Sequence, residues 1–334
     1  MRKGKLLIAL SALLLLLFFL VPTTQVSSDA ATEGSAECIV EVSSRRFLHT
    51  KNADTRLPMA STTKILTAII VIEDCDLDET VEIPFEAQGT EGSSVYLKAG
   101  EEYTVRDLLY GLMLRSGNDC AVTLALHHSG SIKKFAEVMT ERANAMGAEH
   151  SNFMNPHGLP NTMHYTTAHD LALVAAYAMQ NETFAEIVSC KYYAPRGWAN
   201  KNKMLTQYEG ANGIKTGFTT AAGRCLVSSA ERNGMTLVAV LLNCPQTYER
   251  TTELFDDANS RYQMIPLLDS SMPFEGYAIK ESFAYPLTQE EFENNVRIEA
   301  ISTMPYPEVK GEVAGQVLIY LDNRLIFSQN LYIM

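Results

Sequence analysis

The sequence lacks the signatures of metal binding and of a disulfide framework. It has six cysteines, and none of them forms a Cys-x-x-Cys pair or has a histidine at ligand spacing. They are Cys38, Cys75, Cys120, Cys190, Cys225 and Cys244. A chain of this length builds a core that needs no disulfide staples, so we expect buried free thiols. We also expect no zinc, no other metal and no cofactor.

Positive charge is scarce as well. The chain has 27 Lys and Arg against 39 Asp and Glu, a net charge of -12. Removal of a leader that carries Arg2, Lys3 and Lys5 makes the net charge about -15. Because polyanions are bound through clustered basic residues, this composition excludes nucleic acid as a partner.

One long apolar run, residues 6–21, follows these basic residues and precedes a small and polar stretch. It is shorter than the roughly 20 residues that a spanning helix needs, and it is typical of a secretory signal peptide. We predict a signal peptide at residues 1–28 and an exported protein, extracellular or associated with the cell wall. An uncleaved signal segment that holds the protein at the membrane stays open. The remaining length predicts a large domain and a smaller one.

Hydrophobic periodicity predicts the elements of the large domain. Strands at 38–42 and 46–51 form a hairpin. Apolar residues at three- and four-residue steps then predict helices at 62–73, 105–114, 119–128, 132–146 and 167–179. Strand patterns return from residue 204, with strands at 213–219, 224–230 and 236–242 and a helix at 248–264 after them. We expect the hairpin and the later strands to share one antiparallel sheet, with the helices packed against it.

The composition changes after Pro266. Prolines and acidic residues lead into alternating segments at 296–302, 317–321 and 325–327, which predict strands. We therefore predict a main domain at residues 33–266 and a small β-rich domain at residues 267–334.

The first candidate for chemistry is Ser61-Thr62-Thr63-Lys64, at the start of a predicted helix. A spacing of three places the hydroxyl and the amine on one face. A lysine whose pKa is lowered by desolvation or by nearby positive charge can then take the serine proton. A Ser-x-x-Lys match is expected about once by chance in such a chain. A second match of this kind occurs at Ser131-Ile132-Lys133-Lys134. We interpret Ser131 as an ordinary helix N-cap.

Two further segments support a site. Arg115-Ser116-Gly117-Asn118 falls between two predicted helices, where a loop presents a hydroxyl and an amide to a cleft or simply caps a helix. Another Ser-x-Asn match occurs at Ser328-Gln329-Asn330. Lys215-Thr216-Gly217 lies in a predicted edge strand. A substrate backbone can pair with such a strand while the Lys215 ammonium attracts a carboxylate. The alternative interpretation is that Lys215 is an ordinary surface lysine. The order and spacing of the three segments favour one common site.

Together these segments resemble the three motifs of penicillin-recognising serine enzymes. Flanking segments narrow the resemblance. They are Pro58-Met59-Ala60, Gly92-Ser93-Ser94, Asn155-Pro156-His157-Gly158-Leu159 and Gly213-Ile214-Lys215-Thr216-Gly217-Phe218. From about residue 37 onward the chain resembles the serine-type D-alanyl-D-alanine carboxypeptidases, the low-molecular-mass penicillin-binding proteins. The resemblance implies the α/β (α+β) transpeptidase and β-lactamase-like fold, an antiparallel sheet flanked by helices plus a small C-terminal β domain. It makes residues 33–266 the catalytic domain.

The resemblance also implies the reaction. Ser61 attacks the carbonyl between the two terminal D-alanines of a peptidoglycan stem peptide, while Lys64 accepts its proton. Ser116 and Asn118 relay the proton and hold the peptide amide. The terminal D-alanine leaves, and water hydrolyses the acyl-enzyme. A β-lactam imitates the substrate but leaves an ester that water attacks slowly, so β-lactam antibiotics are expected inhibitors.

Substrate binding is implied for the third motif. Lys215 and Thr216 bind the terminal carboxylate beside Gly217. The backbone N–H groups of Ser61 and Phe218 form the oxyanion hole.

Several alternatives bear on this interpretation. Class A β-lactamases carry an aspartate in the middle of the second motif and a deacylating glutamate. This chain has Gly117 in place of that aspartate, and the Asn155-Pro156-His157-Gly158 loop in the region where the glutamate would be sought. We therefore expect slow β-lactam turnover. We interpret His157 as a residue that orders its loop. A D-alanine endopeptidase and a catalytically silent cell-wall binding protein stay open. The family's C-terminal amphipathic anchor is replaced by a predicted last strand at residues 325–334, which argues against membrane attachment there.

Overall fold

The computed structural model describes residues 34–302 and 309–334. Its strands are β1 (Ala36–Glu41), β2 (Phe47–Lys51), β3 (Thr80–Glu82), β4 (Glu102–Thr104), β5 (Tyr192–Tyr193), β6 (Trp198–Ala199), β7 (Ala211–Thr219), β8 (Gly223–Arg232), β9 (Met235–Leu242), β10 (Gln263–Leu268), β11 (Phe283–Leu287), β12 (Val296–Ser302), β13 (Val313–Leu321) and β14 (Arg324–Tyr332). Its α-helices are α1 (Lys64–Asp74), α2 (Val105–Leu114), α3 (Asn118–Ser129), α4 (Ile132–Ala145), α5 (Ala168–Met179), α6 (Glu182–Ser189), α7 (Met204–Gln207), α8 (Thr247–Arg261) and α9 (Gln289–Asn294). The predicted signal peptide, residues 1–28, lies outside the described residues.

A five-stranded antiparallel sheet in the order β2-β1-β9-β8-β7 forms the centre of the fold. The prediction that the hairpin and the later strands share one sheet is confirmed. Side chains alternate between its faces: Val238 and Val240 belong to a core with α1 to α6, and Leu237 and Leu241 to a second core with α8. Because both faces are covered, β9 is an almost uninterrupted apolar run in the sequence.

Helix α1 lies in the middle of the helical layer. Its first eight residues, 64–71, are buried all round the helix, as is typical of a core helix rather than a surface one. The predicted helices between residues 62 and 179 are confirmed, with ends within about two residues. The buried position of α1 places its first turn at the inner end of a cleft beside β7.

The structure corrects the prediction at three places. Residues 204–207 form the short helix α7 instead of starting a strand, because Asn202 caps this turn by accepting a hydrogen bond from the Met204 backbone N–H at 3.1 Å. Helix α6 has no counterpart in the prediction; it has eight residues, too few for a clear period, and Asn181 caps it. Helix α8 ends at Arg261 rather than 264, since residues 263–268 pair as β10 with β11.

The C-terminal part is rich in β-structure, as predicted. Strands β12, β13 and β14 form an antiparallel sheet, and β10 pairs with β11. A small core of its own contains Val317, Ile319 and Leu331. The Arg46 side chain bonds to Glu291 and to the Pro286 carbonyl, which ties the β1–β2 turn to this region. The domain boundaries themselves stay a prediction.

No helix among residues 34–302 and 309–334 is both long enough and apolar enough to cross a membrane.

Candidate active site

The backbone at Ser61 forms the first turn of the α1 helix. Residues Ala60–Thr63 form a 3-10 turn that runs directly into α1, which confirms that Ser61 lies at a helix start. Ala60 has φ +49°, a conformation that L-residues rarely adopt. The Thr63 hydroxyl stabilises it by donating to the Ala60 carbonyl at 2.8 Å. Ser61 itself is half-buried and faces the cleft.

Lys64 is fully buried and lies next to Ser61. Its Nζ is 3.1 Å from Ser61 Oγ, 2.6 Å from Asn118 Oδ1 and 2.7 Å from the His157 carbonyl oxygen. Burial, followed by the charge of Lys215, lowers the pKa of Lys64 well below its usual value. A neutral amine has two N–H donors and one lone pair. The two carbonyl oxygens take the donors, which leaves the lone pair for the Ser61 hydroxyl proton.

The second motif lies in the turn between α2 and α3. Ser116 has φ +64° and lines the cleft, while the Asn118 side chain reaches inward to Lys64. Asn118 is fixed from two further sides: its Nδ2 donates to the Glu91 carbonyl at 2.5 Å, and its backbone N–H donates to the Ser93 carbonyl at 2.7 Å. A Cβ on Gly117 would lie 2.8 Å from Asp119 Oδ1, so the turn accommodates glycine there.

The third motif lies on β7, an edge strand of the five-stranded sheet. Lys215 is 2% exposed, so it is not the surface lysine of the alternative interpretation. Its Nζ donates to the Thr216 carbonyl at 2.9 Å, and burial lowers its pKa to about 7. Gly217 lies against the turn formed by Ala60–Thr63: a Cβ on Gly217 would be 3.1 Å from the Ser61 backbone nitrogen. The Phe218 ring is 64% exposed at the rim.

The structure brings the three segments together around one cleft of about 310 Å³. Ser61, Ser116, Thr216, Gly217 and Phe218 line it directly. Lys64 and Asn118 lie behind Ser61 through the hydrogen bonds given above, and Lys215 precedes Thr216 on the same strand.

Sequence reasoning missed other residues that line the cleft. Lys201 comes from a loop, Arg224 from the start of β8, and Thr247 and Tyr248 from the first turn of α8, all without motif spacing. Ser93 was cited only as part of a flanking segment. Burial and then the charge of Arg115 lower the pKa of Lys201. A cation in the loop before a Lys-Thr-Gly strand is a weak sequence signal, and nothing in the sequence selects Arg224.

Asp119 organises the loop beside Asn118. Its buried carboxylate accepts hydrogen bonds from the Ser94 hydroxyl at 2.5 Å and from the backbone N–H groups of Val95 and Leu97 at 3.1 and 3.0 Å. The segment that carries Ser93 is therefore held against the start of α3.

Two histidines lie behind the turn that carries Ser61: His164 is buried and His157 is half-buried. Burial and the charge of Lys64 lower the pKa of His157 to about 3 and that of His164 to about 4. His157 Nδ1 accepts from the Leu159 N–H at 3.2 Å within its own loop, in agreement with a loop-ordering role. His164 Nε2 lies 2.8 Å from Thr63 Oγ1, and its Nδ1 accepts from the Met154 N–H at 3.0 Å.

The two chance matches lie elsewhere. Ser131 caps α4 by accepting from the Lys134 N–H at 3.2 Å, as predicted. Ser328 and Asn330 lie on β14, away from the residues that line the cleft.

The described part of the chain contains no cluster of three or more His, Cys, Asp or Glu side chains suited to a metal ion. All six cysteines fall within it as free thiols, four of them buried.

A family model described as D-alanyl-D-alanine carboxypeptidase, Peptidase_S11, matches residues 23–246. The chain belongs to this family. It is 32% identical over 256 residues to the D-alanyl-D-alanine carboxypeptidase DacF of Bacillus subtilis, covering 72% of this chain and 66% of that protein. It is 36% identical over 219 residues to the D-alanyl-D-alanine carboxypeptidase of Streptomyces sp. strain K15, covering 58% of this chain and 75% of that one.

Among solved structures, penicillin binding protein 5 of Haemophilus influenzae superposes with a TM-score of 0.73 at 27% identity, over 90% of this chain and 96% of that one. The penicillin-recognising serine fold is thereby confirmed, with its antiparallel sheet, flanking helices and C-terminal strands. The chain is a serine-type D-alanyl-D-alanine carboxypeptidase, a hydrolase, and its family implies a D-alanyl-D-alanine peptidoglycan substrate and β-lactam binding.

Proposed function

We propose that Ser61 is the nucleophile through which this carboxypeptidase removes the terminal D-alanine of peptidoglycan stem peptides. One observation carries the proposal: Lys64 Nζ lies 3.1 Å from Ser61 Oγ, fully buried, with its other contacts directed to two carbonyl oxygens. A serine hydroxyl becomes nucleophilic only when a base removes its proton, and a buried lysine with a lowered pKa supplies that base.

Acylation then proceeds in two proton transfers. Ser61 Oγ forms a bond to the carbonyl carbon of the penultimate D-alanine as its proton moves to Lys64 Nζ. The carbon–nitrogen bond breaks, and the proton reaches the amine of the departing D-alanine, with the Ser116 hydroxyl as the relay. Asn118 fixes Lys64 and offers its amide to the substrate backbone. In deacylation, water attacks the acyl carbon of the ester as Lys64 accepts one of its protons. The bond from that carbon to Ser61 Oγ then breaks, and Lys64 returns the proton to Oγ, which restores the free enzyme.

The third motif binds and aligns the substrate. The free edge of β7 pairs with the substrate backbone as an added strand. Thr216 and Lys215 hold the terminal carboxylate, and Gly217 leaves room for the substrate beside the Ser61 N–H. The N–H groups of Ser61 and Phe218 stabilise the oxyanion, to which a helix N-terminus contributes further positive potential.

The same geometry accounts for the response to β-lactams. A β-lactam acylates Ser61 but its leaving group stays attached. Among the described residues, none that lines the cleft has a carboxylate to activate water for rapid hydrolysis. The Asn155-Pro156-His157-Gly158 loop contributes the His157 carbonyl to Lys64 instead. We propose that the enzyme acts outside the cytoplasm at the cell wall, where this substrate is found, in a form that has lost residues 1–28.

Mass spectrometry tests the nucleophile. Protein lacking residues 1–28 is incubated with benzylpenicillin, and any adduct is located by peptide mapping. The expected result is a stable adduct on Ser61 that is absent from Ser61→Ala and retained by Ser131→Ala, the matched change in the chance motif. Release of D-alanine from a stem pentapeptide should follow the same pattern.

Other results would contradict the proposal. An adduct that survives Ser61→Ala would assign the nucleophile to another residue. Absence of both adduct and drug hydrolysis would indicate a silent binding protein. Rapid drug hydrolysis without an adduct would indicate a β-lactamase.

A further inference from the structure

The active-site cleft is positively charged although the protein is acidic. The protein has a net charge of -12, yet two cations, Lys201 and Arg224, line the cleft. None of the described residues that line it is acidic. Lys215 adds a third cationic side chain next to Thr216. The terminal carboxylate of the substrate is a single negative charge, so it does not account for the whole cluster.

The two lining cations lie at different ends of the cleft. Lys201 lies at the Lys215 end of the cleft, because the Nδ2 of its neighbour Asn202 donates to the Gly213 carbonyl on β7 at 2.9 Å. It therefore belongs to the end that takes the terminal carboxylate in the proposed function. Arg224 is paired with Phe218 in the β7–β8 register, two residues beyond Thr216 along β7. At about 3.3 Å per residue, that is about 7 Å from the carboxylate end.

Arg224 is available for a ligand. Its side chain is exposed, and its guanidinium carbon lies 5.9 Å from the centroid of the Phe218 ring. Within residues 34–302 and 309–334 it has no carboxylate partner. Its backbone is fixed, since its carbonyl accepts the Cys244 N–H at 2.9 Å. A guanidinium on a fixed backbone, with N–H groups along its edge that no carboxylate occupies, is suited to pairing with a carboxylate.

The substrate direction decides what Arg224 meets. With the terminal carboxylate at Thr216 and the reacting carbonyl beside Gly217 and Ser61, the acyl part of the peptide continues past Phe218. Resting on the proposed function, we propose that Arg224 determines specificity by pairing with a second carboxylate on the acyl side of the stem peptide. This carboxylate belongs to the side chain of the third residue from the C-terminus or to the residue before it.

Two matched pairs of peptides test this inference. The first pair is Nα-acetyl-L-lysyl-D-alanyl-D-alanine with the lysine Nε acylated by succinate or by its uncharged monoamide. The second pair is Nε-acetyl-L-lysyl-D-alanyl-D-alanine preceded by acetyl-γ-D-glutamate or by acetyl-D-isoglutamine. Release of D-alanine is measured as kcat/KM for wild type, Arg224→Gln and Arg224→Lys. Arg232→Gln is the control, at the other end of the same strand and bonded to Asp256 and Tyr208.

In wild type the charged member of one pair should react about fivefold faster than its neutral partner, as for an exposed ion pair. The pair that shows the preference identifies the carboxylate. Arg224→Gln should abolish the preference by slowing the charged peptide to about the rate of its neutral partner. Arg224→Lys should retain part of the preference, and Arg232→Gln should leave it intact. Added salt should reduce the wild-type preference.

Equal rates within both pairs in wild type would overturn the inference and leave the proposed function standing. A uniform loss on all four peptides in Arg224→Gln would also overturn it, by assigning Arg224 to the terminal carboxylate. Release of D-alanine from none of the four by wild type would refute the proposed function and this inference with it.

Discussion

We predict that the buried histidine next to the turn at residues 60–63 makes the enzyme less stable in acid. His164 is 3% exposed, and its Nδ1 accepts the Met154 N–H at 3.0 Å. The neutral ring therefore carries its proton on Nε2, which donates to the Thr63 hydroxyl. Protonation of the ring puts a second donor against the Met154 N–H, and burial lowers the pKa to about 4.

The magnitude follows from the two pKa values of His164. The unfolded chain has an ordinary pKa of 6.5 and the folded protein one of about 4. A lowered folded-state pKa gives stability that is complete above pH 6.5 and is lost as the pH falls toward 4. Between pH 7.5 and pH 5 the loss amounts to about 2 kcal/mol of the free energy of unfolding. His157, with its pKa of about 3, adds to the loss in the same direction.

Urea unfolding of wild type and His164→Gln at several pH values measures this effect. The variant is less stable at pH 7.5 because the ring contacts are lost, but its stability should fall by about 2 kcal/mol less than that of wild type between pH 7.5 and 5. The control is His169→Gln, which replaces a partly exposed side chain whose nearest carboxylate, Asp54, is 86% exposed at 3.9 Å, so it should keep the wild-type pH dependence. A parallel pH dependence of His164→Gln and wild type would refute the reasoning.

Two further substitutions, Gly158→Ala with Gly130→Ala as its control and Asp119→Ala, probe the scaffold of the site. Gly158→Ala places a Cβ 1.8 Å from the Ala60 carbonyl oxygen at φ +89°; it should lower the free energy of unfolding by about 2–4 kcal/mol and slow acylation by benzylpenicillin. Gly130→Ala, at φ +71° with open space around it, should lower the free energy of unfolding by only about 1 kcal/mol. Equal losses for Gly158→Ala and Gly130→Ala in urea unfolding would contradict the steric explanation. Asp119→Ala leaves three donors of the 94–97 segment without their acceptor. It should lower the free energy of unfolding by about 3 kcal/mol and slow acylation by benzylpenicillin. Wild-type values in urea unfolding and in the acylation assay would contradict the role of Asp119.

Local sequence patterns predicted the elements around the site well. Helix α1 was predictable because its apolar run is unbroken and buried throughout. The long helices and the sheet strands were predictable because their periods extend over many residues. The short helices α6 and α7 were not, since eight or fewer residues give no clear period and their starts depend on capping by Asn181 and Asn202.

The three motifs predicted which residues meet, but their spacing in the sequence did not show how they do so. Lys64 and Asn118 are 54 positions apart, and only the packing of α1 against α3 brings them to 2.6 Å. His157 illustrates a different limit: attention to its ring overlooks the backbone carbonyl, which is the group that bonds to Lys64. Arg224 and Lys201 reach the cleft from positions that carry no motif.

The two buried lysines make the site responsive to its own substrate. Lys215 has a pKa of about 7, so near neutral pH it is only partly protonated before a ligand arrives. A substrate carboxylate beside it favours the protonated form, because an opposite charge stabilises an ammonium. A charged Lys215 in turn lowers the pKa of Lys64. In the proposed mechanism the substrate carboxylate and the charged Lys215 largely offset each other at Lys64. Burial therefore keeps Lys64 in the neutral form that accepts the Ser61 proton, while Lys215 takes up a proton as the C-terminus binds.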